Sequence, residues 1–234
     1  MPASVFSQSL LLTELDAVRQ HVTGRTLDVG CGAKPYAWIF GDRISEHIGI
    51  DWSPRGENQP RVEAYSDAQF LPFSDATFDT VLCTEVMEHL RRPADCMAEI
   101  ARVLRPGGKA IITTPFMHWL HEEPHDYFRF TPFSLEDMAR AAGFTPVVMQ
   151  TRGNVPAVLL DLWGRWVLST TKKVGRLGWP ARIFSGIVGT LLVSLPQQGY
   201  LMRHRRKRKS GARDWAMSRK AALGYVMVVE KPAR

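Results

Sequence analysis

A glycine turn that directly follows a short apolar stretch constrains the fold of this chain more than any other feature. The turn lies in Leu27-Asp28-Val29-Gly30-Cys31-Gly32, where two glycines let a strand end bend sharply and let a ligand approach the backbone. Asp51 stands nineteen residues beyond Gly32 and closes a second apolar stretch, Ile48-Gly49-Ile50. An acid at that place in an open α/β sheet lies where a ribose diol binds, so the two features together predict a nucleoside pocket.

Short apolar runs alternate with helical patterns from Arg25 onward, which predicts a parallel sheet with helices on both faces. The predicted strands are 26–29, 47–50, 80–83, 109–113, 144–150 and 224–230. Helices are predicted over 8–22, over 96–104 with a stop and turn at 105–108, and over 135–142 with Ser134 as the N-cap. A long excursion between 153 and 221 interrupts the alternation before the last strand.

Charge is divided unevenly along the 234 residues, whose net charge is +7. Residues 1–150 hold 13 Lys and Arg against 20 Asp and Glu, whereas residues 151–234 hold 17 against 3, so the basic character belongs to the C-terminal third. The three cysteines, Cys31, Cys83 and Cys96, are not closely spaced, which predicts reduced, buried thiols. No basic region precedes the first apolar run, so a secretory signal is not expected and the predicted location is the cytoplasm.

Four stretches in a fixed order resemble the motifs of one family. They are Leu27–Gly32; Gly49-Ile50-Asp51; Ser66–Phe73 running on to Phe78-Asp79; and Glu85–Leu90 followed by Arg102–Gly108. With them the chain resembles the class I S-adenosylmethionine-dependent methyltransferases, in particular the subgroup that methylates small molecules and quinone-type lipids. The resemblance implies a Rossmann-like, doubly wound α/β fold whose mostly parallel seven-stranded sheet ends in an antiparallel strand, with a helical insertion before that strand.

The resemblance also implies S-adenosylmethionine as the cofactor and suggests its contacts. Asp28 would lie near the amino-acid end of the cofactor, Asp51 would accept both ribose hydroxyls, and Asp67 would accept from the adenine amino group. The other implied contacts are Gly30, Cys31, Gly32, Trp52, Ala68, Thr84 and Glu85. Many relatives have a third glycine in the loop where this chain has Lys34, and the lack of a pyrophosphate-binding loop argues against a nicotinamide enzyme.

The segment 118–129 directly follows the strand at 109–113, where this fold covers its active site. His125, His121 and Tyr127 are the candidate catalytic residues, since methyl transfer to a hydroxyl or an acidic carbon needs a general base and imidazole titrates near neutral pH. The candidate substrate contacts are His89, in the predicted helix after strand 80–83, His118 and Arg129. The alternative is a loop whose polar groups only cap the next helix. The histidine and glutamate spacing matches no metal motif, so no metal is expected.

The excursion combines apolar and cationic segments. A helix over 155–168, with Asp161 and Arg165 paired outside its apolar stripe, would bury Val158, Leu159, Leu162, Trp163, Trp166 and Val167. The apolar run 183–195 is too short to span a bilayer as a helix, and the run 203–209 is densely cationic. Together with Lys172 and Lys173, residues 155–209 predict an interfacial anchor on an anionic membrane.

A nucleic-acid-binding arm and a solvated basic loop are the alternatives for the excursion. Nucleic acid is the less favoured partner because it is supported by charge alone. In addition, Thr113-Thr114-Pro115-Phe116 lacks the Asn/Asp-Pro-Pro-aromatic motif of enzymes that methylate nucleobase amino groups.

These features predict one methyltransferase domain over 1–234. Its predicted parts are an N-terminal helix in 1–24, a cofactor-binding core in 25–152, an apolar and basic insertion in 153–221, and the last strand with a tail in 222–234. The predicted acceptor is a small molecule, a lipid or a lipid-linked glycan reached near the inner face of a membrane, and the acceptor rests on the resemblance alone. The alternatives are a non-catalytic membrane-associated module that retains the fold, and an RNA-modifying methyltransferase that uses the basic segment.

Overall fold

The computed structural model describes residues 5–52, 61–175, 180, 194–209 and 221–233. The chain forms two compact units. The sheet unit consists of residues 14–150 and 224–234, and the helical unit consists of residues 1–13 and 151–223. The apolar run predicted at 183–195 lies outside the described residues except for its last two positions.

Seven strands form a single sheet in the order β3-β2-β1-β4-β5-β7-β6. The strands are β1 (Gly24–Val29), β2 (Ile44–Asp51), β3 (Ala64–Tyr65), β4 (Phe78–Thr84), β5 (Leu104–Pro115), β6 (Thr145–Arg152) and β7 (Gly224–Glu230). The pairs β1–β2, β1–β4, β2–β3 and β4–β5 are parallel, whereas β7 lies antiparallel to β5. This order and the antiparallel last strand confirm the predicted fold class.

The helices are α1 (Val5–Val18), α2 (Ala37–Phe40), α3 (Pro93–Val103), α4 (Pro132–Ala141), α5 (Val155–Gly175) and α6 (Leu195–Lys209). Within the described segments, three short 3₁₀ turns cover Arg19–His21, Gly41–Arg43 and Met87–His89. The prediction that His89 lies in a regular helix is therefore wrong, because the chain after β4 makes only this single turn before Pro93 begins α3.

Two sequence-based boundaries need correction. The N-cap of α4 is Thr131 rather than Ser134: the Thr131 side chain accepts a hydrogen bond from the Ser134 backbone N–H at 3.2 Å, and Pro132 suits the first helical turn. The turn predicted at 105–108 instead belongs to β5, because Gly107 and Gly108 exchange backbone hydrogen bonds with Lys231. Gly107 takes up the local irregularity with φ +79°.

The centre of the sheet is excluded from solvent. Central residues of β4, β5 and β7 are fully buried, among them Val81, Ile111 and Val228. Strands that are buried on both faces read as continuous apolar runs, which is why these three were recognisable in the sequence. All three cysteines are buried and free, as predicted. The side-chain hydrogen bond between Cys83 and Cys96, together with burial, raises the pKa of the Cys83 thiol, so this thiol stays protonated.

The helical unit has its own small core of Phe6, Leu10, Ala157, Val158 and Leu223. Polar contacts support it: the Tyr200 hydroxyl donates to Asn154 at 2.9 Å, and the Gln197 side chain donates to the Leu160 carbonyl at 3.1 Å. Among the residues that the structure describes, no helix has the length and apolarity needed to cross a membrane.

The exposure pattern of α5 reverses part of the prediction. The Asp161–Arg165 pair exists, with a 2.7 Å contact, but Asp161 is fully buried rather than on an outer face. Of the six stripe residues only Val158 and Val167 are buried, while four are exposed: Leu159, Leu162, Trp163 and Trp166. The helix therefore buries an ion pair and presents a row of large apolar side chains to solvent.

Candidate functional site at the carboxyl edge of the sheet

The carboxyl ends of four parallel strands meet at one edge of the sheet unit. Val29 pairs with Ile50 and Cys83, and Thr84 pairs with Thr113, so β1, β2, β4 and β5 end at the same level. In open α/β sheets ligands bind at this edge. The glycine loop, Asp51, Glu85 and the segment after β5 all begin here.

The glycine loop has the backbone that the sequence predicts. Gly30 and Gly32 adopt φ +65° and +49°, a region that side chains disfavour. A Cβ on Gly30 would collide with the Val86 side chain, whereas a Cβ on Gly32 would meet no atom of the described residues within 4 Å. The loop is therefore packed tightly at its first glycine and faces open space at its second, which is the form a ligand cradle takes.

Asp51 ties the end of β2 to this loop. One carboxylate oxygen accepts from the Gly32 backbone N–H at 2.9 Å, and the other accepts from the Trp52 backbone N–H at 2.7 Å. A carboxylate offers about four acceptor positions, so both oxygens keep capacity for a hydroxyl donor. The geometry suits a diol beside the open space at Gly32.

Beneath the loop lies a network that the sequence did not reveal. Asp28 is 4% exposed and lies 3.1 Å from His47 Nε2. Burial raises the pKa of Asp28, and the contact with His47 opposes that rise. The only sequence signal for the partner was a histidine within a predicted apolar strand.

Lys34 extends the same network with φ +52° and a buried side chain. Its Nζ donates to both carboxylate oxygens of Glu63, at 2.7 and 2.6 Å, and to the His47 carbonyl at 2.9 Å. Burial acts to raise the pKa of Glu63, but hydrogen bonds from Lys34 and from the Gly49 N–H hold it below its usual value. Lys34 thus fastens the loop to β2 and to the segment before β3.

Asp67 follows β3 and engages its own neighbour. Its carboxylate accepts from the backbone N–H of Gln69 at 2.9 Å and from the Gln69 side chain at 3.1 Å, while Ala68 is buried. Gln69 also accepts from the Arg92 backbone N–H. A ligand that donates a hydrogen bond to the Asp67 carboxylate would therefore share this acceptor with the Gln69 amide.

The end of β4 carries a strained residue. Glu85 has φ +55°, and its backbone N–H and side chain both bond to Thr113 at the end of β5. Non-glycine residues rarely adopt this conformation, and where they do the surrounding structure holds them there. Thr113 fixes the Glu85 backbone at the centre of the edge, beside the buried Thr84.

The segment from Phe116 to Phe130, here called the cover loop, is organised by one buried acid. Asp126 forms two parallel contacts with Arg129, at 2.6 and 2.7 Å, and accepts from the His121 backbone N–H at 2.9 Å. Burial acts to raise the pKa of Asp126, yet these donors lower it to about 2. Arg129 also donates to the carbonyls of His118 and Trp119. Its observed contacts hold the loop together.

The cover loop brings histidines to the chain after β4. The ring centroids of His121 and His89 lie 4.8 Å apart, and those of His121 and His118 lie 5.1 Å apart. The buried Glu88 carboxylate lies 3.7 Å from His89 Nε2 and 3.8 Å from His121 Nε2. Burial lowers the pKa of His121, which favours its neutral form.

A second pair of cover-loop residues meets the end of β2. His125 Nδ1 lies 3.1 Å from the Tyr127 hydroxyl, and the His125 ring packs edge-on against Trp52 at 5.3 Å. The Arg91 guanidinium lies 5.0 Å from the Tyr127 ring centre. The structure thus places the candidate catalytic and substrate-contact residues in two groups. His89 and His118 lie near His121, and Tyr127 lies beside His125.

Comparison with known proteins identifies the core of the sheet unit. Residues 27–112 match the family model described as a methyltransferase domain. Over 150 residues the chain is 29% identical to a ubiquinone biosynthesis O-methyltransferase of Cereibacter sphaeroides, covering 53% of this chain and 61% of the relative. It is 34% identical over 103 residues to a tRNA U34 carboxymethyltransferase of Saccharophagus degradans, covering 38% of this chain and 32% of that relative. The chain therefore spans less than two thirds of either relative.

Solved structures share the fold at low sequence identity. The [4+2]-cyclase SpnF superposes with a TM-score of 0.59 at 22% identity, covering 96% of this chain and 81% of the cyclase. The 1,6-didemethyltoxoflavin-N1-methyltransferase of Burkholderia thailandensis, solved with bound 1,6-didemethyltoxoflavin and S-adenosylhomocysteine, gives a TM-score of 0.54 at 18% identity, covering 97% of this chain and 79% of the methyltransferase. Because one of these proteins is named a cyclase, the fold alone does not fix the reaction.

Proposed function

We propose that this chain, which belongs to the class I S-adenosylmethionine-dependent methyltransferases, transfers a methyl group to a small-molecule, lipid or lipid-linked glycan acceptor near a membrane surface. The observation that carries the proposal is the open glycine loop held by Asp51 at the carboxyl edge of the sheet. The match of residues 27–112 and the strand order support it.

The residues at the edge fit the cofactor. Asp51 keeps acceptor positions for the ribose hydroxyls, Gly32 faces open space, and Asp67 offers a carboxylate to the adenine amino group. The remaining proposed contacts are Asp28, Gly30, Cys31, Trp52, Ala68, Thr84 and Glu85. When bound, S-adenosylmethionine supplies a methyl group on a sulfonium.

Catalysis by this chain is mainly positioning, because methyl transfer from a sulfonium is an in-line displacement. An acceptor hydroxyl or acidic carbon must also lose a proton. His121 and His125 are the proposed bases, with Tyr127 beside His125. His89 and His118 are proposed acceptor contacts, and Arg129 is proposed to act by holding the cover loop through Asp126.

Calorimetric titration with S-adenosylhomocysteine tests the cofactor site. We expect micromolar binding by the full chain and a loss of at least roughly 10-fold in Asp51→Ala, because the ribose then lacks its acceptor. Asp42→Ala, on the exposed 3₁₀ turn before β2, is the matched control and leaves affinity unchanged. Folded wild-type protein that binds no S-adenosylhomocysteine would contradict the proposal.

The membrane part of the proposal is supported by the helical unit. Trp163 and Trp166, with Leu159 and Leu162, form an exposed apolar row on α5, and α6 continues into the cationic run 203–209. An exposed apolar row accompanied by cationic residues is the pattern of an interfacial element on anionic lipid. A ubiquinone-pathway relative is consistent with an acceptor that resides in a membrane.

Flotation with vesicles of phosphatidylglycerol and phosphatidylcholine tests this part. The chain should float with anionic vesicles, and the double variant Trp163→Ser, Trp166→Ser should float several-fold less. Trp38→Ser, an exposed tryptophan of the sheet unit, is the control and floats as the wild type does. Equal flotation of the double variant and the wild type overturns this assignment of the membrane contact.

An RNA acceptor is the second candidate, favoured by the tRNA-modifying relative and by the basic C-terminal third. Transfer of labelled methyl into a lysate separated into lipid, glycan, protein and nucleic-acid fractions decides between them. Label in the lipid or glycan fraction supports the proposal, and label in the RNA fraction alone replaces it. Binding of S-adenosylhomocysteine without any transfer favours a non-catalytic module that retains the fold.

A further inference from the structure

Three potential metal ligands converge where the cover loop meets the chain after β4. Glu88, His89 and His121 each offer one ligand atom, and the three atoms all lie within 4.8 Å of one another. The Glu88 side chain is fully buried, and the two imidazole side chains are 21% and 17% exposed. Two residues come from the 3₁₀ turn after β4 and one from the cover loop, so neither segment completes the set alone.

The polar contacts around the two rings indicate which nitrogen of each ring is available to a metal. His89 Nδ1 lies 2.6 Å from the carbonyl oxygen of His125, which can only accept, so this nitrogen carries the proton. His121 Nδ1 lies 3.1 Å from the Asp126 carboxylate, a charge contact without hydrogen-bond geometry that favours a proton on this nitrogen. A ring with its single proton on Nδ1 has its lone pair on Nε2, and the Nε2 atoms lie 3.7 and 3.8 Å from Glu88. Metal-binding histidines are oriented in this way by a carboxylate or a carbonyl on the other nitrogen.

We propose that Glu88, His89 and His121 bind a divalent first-row transition ion such as Zn²⁺. Two imidazoles and one carboxylate suit Zn²⁺, Fe²⁺ or Co²⁺ better than the oxygen-seeking Mg²⁺. Ligand atoms around tetrahedral zinc lie about 3.3 Å apart, from bond lengths near 2.0–2.1 Å. The observed separations of 3.7 and 3.8 Å from Glu88 need only small side-chain adjustments to reach that value.

The ion would join the cover loop to the chain after β4. Backbone N–H groups of Tyr127 and Phe128 already donate to the Glu88 carbonyl at 2.8 and 3.3 Å, so the two segments are in register without it. Three protein ligands leave at least one coordination position for water or a bound molecule. The inference stands on this geometry and does not depend on methyl transfer. With the ion bound, His121 Nε2 is a ligand and cannot accept a proton, which leaves His125 as the proposed base.

Calorimetric titration of the chelator-treated full chain with Zn²⁺ tests the site, with far-UV circular dichroism as the check on folding. We expect one Zn²⁺ per chain and an affinity loss above roughly 100-fold in His121→Asn, more than is typical when an outer-shell partner is removed. Asp126→Asn, which removes the partner of His121 Nδ1, should weaken binding about 10-fold. His21→Asn, on the 3₁₀ turn after α1, is the matched control and keeps wild-type affinity.

X-ray absorption on the Zn²⁺-loaded wild type keeps the test independent of any variant that fails to fold. Two imidazoles with oxygen ligands in the first shell support the site, and a shell without imidazole overturns it. Absent Zn²⁺ binding, or equal affinity in wild type and a folded His121→Asn, overturns it as well. These readouts require neither S-adenosylhomocysteine binding nor turnover, so the failure of one proposal is distinguishable from the failure of the other.

Discussion

Lys34 Nζ lies 2.6 Å from Glu63 Oε2 and thereby joins the glycine loop to the segment before β3. The lysine side chain is 8% exposed and the glutamate side chain 47% exposed, so the pair is only partly screened by water. Lys34 adopts a left-handed backbone, with φ +52°, and its ion pair with Glu63 holds the loop in that conformation.

Replacing Lys34 by Met should lower the free energy of unfolding by about 2 kcal/mol, between the values for exposed and buried pairs. The variant keeps the stem but leaves Glu63 without its cation. Lys109→Met removes the ion-pair partner of Glu230. Because the Lys109 side chain is 30% exposed, far more than that of Lys34, this change should cost less than about 1 kcal/mol. Urea unfolding measures both, and equal losses would show that burial of Lys34 adds nothing.

Asp126→Asn should lower stability by an amount that depends on pH. The donors lower the pKa of Asp126 to about 2 in the folded state from its usual 3.8, so the charged form stabilises the fold above the unfolded pKa. That contribution is on the order of 2 kcal/mol at neutral pH and shrinks as pH falls through the two values. Urea unfolding should therefore separate wild type and variant by about 2 kcal/mol at pH 6 and about 1 at pH 3. The same separation at both pH values would contradict the assignment.

The two loop glycines should respond differently to alanine. Gly30→Ala brings a methyl group against Val86 in addition to backbone strain, and we expect a stability loss above about 2 kcal/mol. Gly32→Ala carries the strain alone, about 1 kcal/mol, but its methyl group enters the open space beside Asp51. Affinity of the folded Gly32→Ala variant for S-adenosylhomocysteine should fall at least roughly 10-fold. Wild-type affinity in this variant would mean that the space is not the cofactor cradle.

The N-cap of α4 offers a direct test of a local assignment. Thr131→Ala removes the side chain that accepts from the Ser134 backbone N–H, and should cost about 1 kcal/mol. Ser134→Ala removes an exposed hydroxyl that caps no helix N–H group, and should cost less than about 0.5 kcal/mol. Thermal or urea unfolding distinguishes them, and the reverse order would restore Ser134 as the cap.

The parts of the fold that could be predicted are those in which a particular backbone conformation or degree of burial requires a particular type of residue. Gly30 and Gly32 stand where the backbone requires positive φ, and the buried strand β7 is a plain apolar run with the predicted bounds. The boundaries that failed depend on competing local signals. Thr131 and Ser134 are both good caps, and only the position of Pro132 decides between them.

The candidate site was harder to predict from the sequence because its residues are distant along the chain and come into contact only in the folded structure. His47 reaches Asp28 across two paired strands, and Glu63 reaches Lys34 from a segment 29 residues away. The convergence of Glu88 with His121 likewise needs β4 and β5 to lie side by side. The burial of Asp161 with Arg165 was missed because helical periodicity gives the faces of a helix without saying which one is covered.

The place of β7 in the sheet has a consequence for synthesis of the chain. Strand β7 lies between β5 and β6, although both of those strands are made well before it. While the intervening 71 residues between Arg152 and Gly224 emerge from the ribosome, the inner edges of β5 and β6 have no partner strand. Their backbone N–H and C=O groups are open to any extended segment during that interval. The sheet is therefore completed late in synthesis. Until β7 pairs with β5 and β6, the edges of these two strands must stay free of other extended segments.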